Sequence, residues 1–224
     1  MTTQTKPSTI PNLIAVASGK GGVGKTWAAI SLGQALSYSG QRVLLIDGDL
    51  GLANVDVQLG LSPQADLADA IAGRKAFTDC VTPACGGAGS RGGFDVLAGR
   101  SGSAILANLN PEEWTRLVRG IGAMSAFYDV AIADLGAGVD GAVMNLASSA
   151  SKILVVLTDE PTSMTDAYAL VKRLSQLGCG GQIEIAVNMA QDHAEGRRTA
   201  ATLIRAAQGF LNLELPVAGV IRRD

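Results

Sequence analysis

No charge of one sign dominates this chain: 18 basic and 20 acidic side chains leave a formal net charge of −2, so no overall basic field exists to hold a nucleic acid. Cysteine is scarce. Cys80, Cys85 and Cys179 are odd in number and match no usual zinc spacing, a usage that speaks for reduced thiols in a cytoplasmic protein and against a disulfide framework. Long hydrophobic runs are missing too. The opening MTTQTKPSTIPNLIAVASGKGG reaches glycine and lysine too soon for a signal peptide. The most apolar later run, Ile153–Leu157, has the length of a buried strand, far short of the roughly 20 residues of a membrane span. A cytosolic protein without a spanning segment is expected.

Small apolar residues are plentiful. With 47% apolar side chains and 28 glycines among 224 residues, the chain can bury one sizeable core, and a single domain over 1–224 is expected, with 1–12 as a flexible lead-in. Short continuous apolar runs recur at Leu13–Ala17, Val43–Ile46, Val130–Ala133, Ile153–Leu157, Ile183–Val187 and Val217–Ile221. Runs of this kind read as strands buried on both faces. Between them lie helix-length segments: Lys25–Ser39, Pro111–Ser125, Val139–Ala150, Pro161–Leu177 and Ala194–Leu211. Alternation predicts an α/β fold: a mostly parallel, twisted sheet of about seven or eight strands with helices on both faces. Asn110 before Pro111-Glu112-Glu113 reads as a capped helix start, and the glycine-rich stretch 85–93 as a mobile loop or hairpin connection.

The chemistry concentrates in Gly19-Lys20-Gly21-Gly22-Val23-Gly24-Lys25-Thr26-Trp27. Gly19-x-x-x-x-Gly24-Lys25-Thr26 follows a strand pattern and opens a helical one, which is the context a phosphate-binding loop requires. In such a loop, backbone N–H groups and the helix N-terminus face phosphate oxygens, Lys25 reaches the β and γ phosphates and the Thr26 hydroxyl ligates Mg²⁺. Carboxylates belong at the ends of neighbouring strands, to hold the metal and orient water. Asp134 ends the run Val130–Ala133, and Asp47 and Asp49 end Val43–Ile46. Lys20 is a second lysine that the loop alone does not need; a cation arriving with another molecule would couple assembly to hydrolysis.

These residues resemble a known family over nearly the whole chain. KGGVGKT (Lys20–Thr26) looks like the deviant Walker A motif of the MinD/ParA-type ATPases, a P-loop NTPase fold. Gly51-Leu52-Ala53-Asn54-Val55-Asp56, Leu59-Gly60-Leu61, Gly136-Ala137-Gly138, Glu160–Leu170 and Val187-Asn188-Met189 are similar to the FlhG (FleN, YlxH) branch, which regulates flagellar number and placement. The resemblance implies ATP/ADP and Mg²⁺ as cofactors and an ATP-dependent homodimer. Flagellar assembly proteins would be its partners: an SRP-type GTPase, the C-ring or a transcriptional regulator. It implies that Lys20 reaches across the dimer to the other subunit's phosphates and that Asp49 orients the attacking water. Thr26, Asp134 and the Asp47 pair member would serve the metal, and Asn188 would contact the adenine, with residues 19–27 cradling the nucleotide.

The sequence departs from that pattern at Trp27, where a small or polar residue is usual, at Gly48 in place of alanine, and at Leu135 in place of threonine; slow, partner-stimulated hydrolysis is the expectation. No DQA-type activating segment is visible in Met1–Asn12, and the chain stops at Asp224, before the family's amphipathic membrane helix. Membrane binding by this chain itself is therefore not expected, and recruitment to the pole or inner membrane would run through partners. Two other readings are a nucleotide-binding module with little turnover and a ParA-type partitioning ATPase. For the latter, Arg197, Arg198, Arg205, Arg222 and Arg223 are interleaved with Asp192, Glu195, Glu214 and Asp224, which reads as a solvated mixed face rather than a DNA patch.

Overall fold

The computed structural model describes residues 9–49, 51–99, 109–179 and 182–223. Strand β1 (Ile10–Ser18) leads through the phosphate loop into α1 (Lys25–Tyr38) and then β2 (Val43–Gly48). Two short helices, α2 (Val55–Leu59) and α3 (Leu67–Ile71), and a 3-10 turn at Phe77–Cys80 precede a hairpin of β3 (Val81–Ala84) and β4 (Phe94–Leu97). The remainder alternates: α4 (Pro111–Ser125), β5 (Val130–Ala137), α5 (Gly141–Ser148), β6 (Ala150–Leu157), α6 (Pro161–Gln176), β7 (Gln182–Ala190), α7 (His193–Leu211) and β8 (Val217–Arg222).

The eight strands form one sheet in the order β3-β4-β2-β5-β1-β6-β7-β8, parallel throughout except for the β3–β4 pair. Alternate side chains along each central strand enter two separate cores. Val43 and Leu45 of β2 join Val16, Ala28, Ala29 and Phe94 beneath α1, whereas Leu44 and Ile46 face Leu117, Ile121, Leu146 and Leu170 of the helices on the opposite side. Both faces being dry explains the continuous apolar runs in sequence, and each fully buried Leu or Ile contributes about 1.5–3 kcal/mol of burial.

Several boundaries move outward for local reasons. β1 begins at Ile10, inside the lead-in expected to be flexible, because Ile10 is buried and donates its N–H to the Ser149 carbonyl at 2.8 Å, while the Asn12 amide caps the carbonyls of Ser125 and Tyr128. The rest of that lead-in, 1–8, lies outside the described residues. The stretch 85–93 is a hairpin connection between β3 and β4. Asn110 caps α4 as its sequence suggests, accepting from the N–H groups of Glu112 and Glu113. Among the described residues, no helix is long and apolar enough to cross a membrane.

The chain leaves β1 towards β2 on one side, and β5 is followed by β6 on the other. A parallel sheet wound both ways opens a crevice beyond the carboxyl ends of its strands at that point. The phosphate loop, the ends of β2 and β5, and the start of α6 all meet there.

Candidate functional site

A cleft of about 860 Å³ opens over this crevice, lined by Gly21, Gly22, Gly24, Lys25, Thr26 and Trp27 on one side. Asp49, Leu52 and Asn54 line the second side, and Gly136, Ala137 and Asp140–Val143 the third. The loop turns sharply into α1 at Gly24, whose φ of 83° is left-handed and suits only glycine. A side chain there would also strike the Asn188 amide nitrogen, which lies 2.3 Å from the position of an added Cβ. Asn188, at the end of β7, is buried and donates to the Val23 carbonyl at 2.8 Å, bracing the loop from beneath.

Lys25 and Thr26, the first two residues of α1, are both only 8% exposed. The Lys25 ammonium lies 2.8 Å from Asp134 Oδ1, and Asp134 is fully buried at the end of β5. Asp134 Oδ2 is buried and accepts no hydrogen bond. Burial pushes the Asp134 carboxyl up, and the Lys25 ammonium and Thr26 hydroxyl pull it back. The floor of the cleft thus holds a cation paired with a carboxylate that keeps one oxygen uncommitted.

Asp47 pairs with Asp134 in the β2–β5 register, so two carboxylates end adjacent strands. Asp47 is fully buried and pushed up to about 6 by burial and by the charge of Asp134, against the pull of the Val55, Asn54 and Asp49 N–H groups. Asp49 is half-buried at the cleft, lies against Gly136 and accepts from the Leu52 N–H at 3.0 Å and the Gly51 N–H at 3.4 Å. Trp27 is 51% exposed at the mouth. Leu135 turns away into the core, so no hydroxyl follows Asp134 towards the cleft.

Lys20 is the member of the loop that faces elsewhere. Its ammonium leaves its own cleft and pairs with the Glu160 carboxylate and, at 2.8 Å, the Thr162 hydroxyl at the start of α6. That contact holds the Glu160 carboxyl below the usual carboxylate range. In the sequence Glu160 is only the first residue of the FlhG-like stretch 160–170; that it faces the loop follows from β6 lying beside β1. The Asp140–Val143 wall has no comparable signal, because it is built mainly from glycine, alanine and backbone.

The family model described as the CobQ/CobB/MinD/ParA nucleotide binding domain matches residues 14–224. The chain belongs to this family. Within it, the chain is 40% identical over 212 residues to the "Antiactivator FleN" of Pseudomonas aeruginosa, spanning 95% of this chain and 74% of that relative. It is 30% identical over 213 residues to the "Flagellum site-determining protein YlxH" of Helicobacter pylori, covering 94% of this chain and 69% of YlxH. The cell division ATPase MinD of Pyrococcus furiosus superposes with a TM-score of 0.77 at 24% identity, covering 96% of this chain and 84% of MinD. The eight-stranded sheet is therefore the fold of this nucleotide-binding family.

Proposed function

We propose that this chain binds ATP with Mg²⁺ in the cleft, assembles as an ATP-dependent homodimer, and hydrolyses ATP to ADP and phosphate slowly and under a partner's stimulus. In this reading it is a molecular switch that regulates flagellar number or placement. The relatives named FleN and YlxH support the flagellar role, and flagellar assembly proteins are the partners it calls for.

The observation that carries the reading is the division of labour between the two lysines: Lys25 is buried against Asp134, whereas Lys20 is held at the rim on an exposed, exchangeable contact. Backbone N–H groups of 21–26 and Lys25 would bind the phosphates. Thr26 and Asp134 would hold Mg²⁺. The orphaned Asp134 Oδ2 fits a cation or its bound water, and the metal would supply charge neutralisation on the phosphates. Asp49 would release its N–H groups and orient water, and Lys20 from the second copy would stabilise charge on the transferred phosphoryl group. Asn188 donates its Nδ2 to Val23, and its Oδ1 would be the acceptor for the exocyclic amine of adenine.

Light scattering with ATP and with ADP, alongside phosphate release, tests this. Dimers with ATP alone, and turnover lost in Lys25→Ala, are expected; a monomer at saturating ATP that nonetheless turns over would sink the dimer reading. Binding without turnover would favour the module reading, for which the buried Leu135 is the supporting observation.

A further inference from the structure

Residues 53–55, which lead from β2 into α2, are fastened to the sheet. Asp47 accepts three backbone N–H groups: that of Asp49 at 3.3 Å on Oδ1, and those of Asn54 at 2.9 Å and Val55 at 3.0 Å on Oδ2. The same residues are seated by packing. Ala53 is 2% exposed and Val55 fully buried. Ala53 rests on Gly99, where an added Cβ would come within 2.6 Å of the Ala53 methyl and 3.3 Å of the Asp47 carbonyl oxygen. By contrast, Leu52 is 75% exposed, and Asp49 holds its two N–H groups at longer or more exposed contacts.

Asp134 Oδ2 accepts no hydrogen bond and stays available to a cation, whereas Asp47 Oδ2 is filled by two backbone N–H groups and its Oδ1 accepts a third. We propose that Asp47 is a positioning residue and not a magnesium ligand: with the Gly99 seat, it pegs residues 53–55 to the sheet and so fixes where the chain that carries Asp49 returns from the cleft. The catalytic consequence rests on the assignment of Asp49 as the group that orients water; the peg itself does not. It also gives a role to Gly99, which lies outside the cleft lining and which no phosphate-loop motif includes.

The test compares Asp47→Asn, Asp47→Ala and Gly99→Ala in the full chain, with Asp49→Ala as reference. Three quantities are read: amide hydrogen exchange at Asn54 and Val55 without nucleotide, the Mg²⁺ midpoint for binding a fluorescent ADP analogue, and single-turnover hydrolysis. Asn keeps a side-chain oxygen for the two N–H groups, so Asp47→Asn is expected to hold slow exchange and an unchanged Mg²⁺ midpoint. Asp47→Ala is expected to speed exchange at both amides about tenfold or more, with the Mg²⁺ midpoint unmoved and hydrolysis reduced. Gly99→Ala is expected to reproduce that pattern with both carboxylates intact. A Mg²⁺ midpoint raised about tenfold in Asp47→Asn shows that Asp47 serves the metal, directly or through a ligand, and overturns the proposal, as does unaltered exchange in both Asp47→Ala and Gly99→Ala. Full hydrolysis in Asp49→Ala overturns the role of Asp49 alone and leaves the exchange result to decide the peg.

Discussion

Replacing Lys25 by methionine in the nucleotide-free protein isolates the electrostatics of the cleft floor. Lys25 is 8% exposed, Asp134 is fully buried, and the contact between them is 2.8 Å. Removing one partner of a buried pair costs about 3–5 kcal/mol while the other stays charged. Asp134 can escape part of that cost by taking a proton. Its carboxyl is already pushed up by burial, and without Lys25 it rises further. An acid whose folded pKa exceeds its unfolded one contributes stability below the unfolded value, near pH 4, and loses it as pH climbs through the folded value. The deficit of Lys25→Met relative to wild type should therefore be small near pH 4.5 and reach about 3 kcal/mol by pH 8, a fall in Tm of about 6–12 °C for a chain of this size. Lys25→Met combined with Asp134→Asn should recover most of it, since the pair then leaves no unpartnered charge of its own. Calorimetry at the two pH values, without Mg²⁺ or nucleotide, reads the outcome. A single variant as stable as wild type at pH 8, or a deficit independent of pH, would refute the reasoning.

Three further outcomes can be checked directly. Asp47, raised from 3.8 to about 6, contributes stability present below about pH 4 that is lost as pH rises through 6, on the order of 3 kcal/mol. Asp47→Asn should flatten that part of the pH profile in denaturant titrations, and an unchanged profile would contradict it. Glu160→Gln removes the charge that keeps Lys20 at the rim, so dimers should form at lower ATP concentration in analytical ultracentrifugation; a higher ATP requirement would mean that Glu160 acts in the dimer instead. Asn188→Ala leaves the Val23 carbonyl without its donor, so ADP should bind about tenfold more weakly in calorimetric titration, whereas equal affinity would remove Asn188 from the site.

Much of this was legible from the residues alone because the physics involved is local or periodic. A strand dry on both faces must be apolar throughout, so Val43–Ile46 and Ile153–Leu157 announced themselves, and the strand-loop-helix context identified residues 19–26. β3 and β4 escaped because each is only four residues long, and β3, at the sheet edge, contains Pro83. The site showed the same limit. Carboxylates at strand ends pointed to Asp47, Asp49 and Asp134, but chemical type does not tell which oxygens the backbone takes. That depends on where residues 54 and 55 return, a long-range matter of Ala53 meeting Gly99. Likewise, the second lysine was visible as an excess, whereas its resting contact with Glu160 spans 140 residues of sequence.

The central claim is that each site is completed by a second copy of the chain, and complementation between two inactive variants tests it most directly. Lys20→Ala keeps its own phosphate loop but cannot supply the extra cation, whereas Lys25→Ala can supply Lys20 but cannot hold phosphate productively. Mixing the two with ATP and Mg²⁺ should restore phosphate release, because a mixed dimer contains one site with Lys25 from one chain and Lys20 from the other. A mixture as silent as its components, under conditions where light scattering shows that dimers form, would place Lys20 in its own subunit's site and contradict the account.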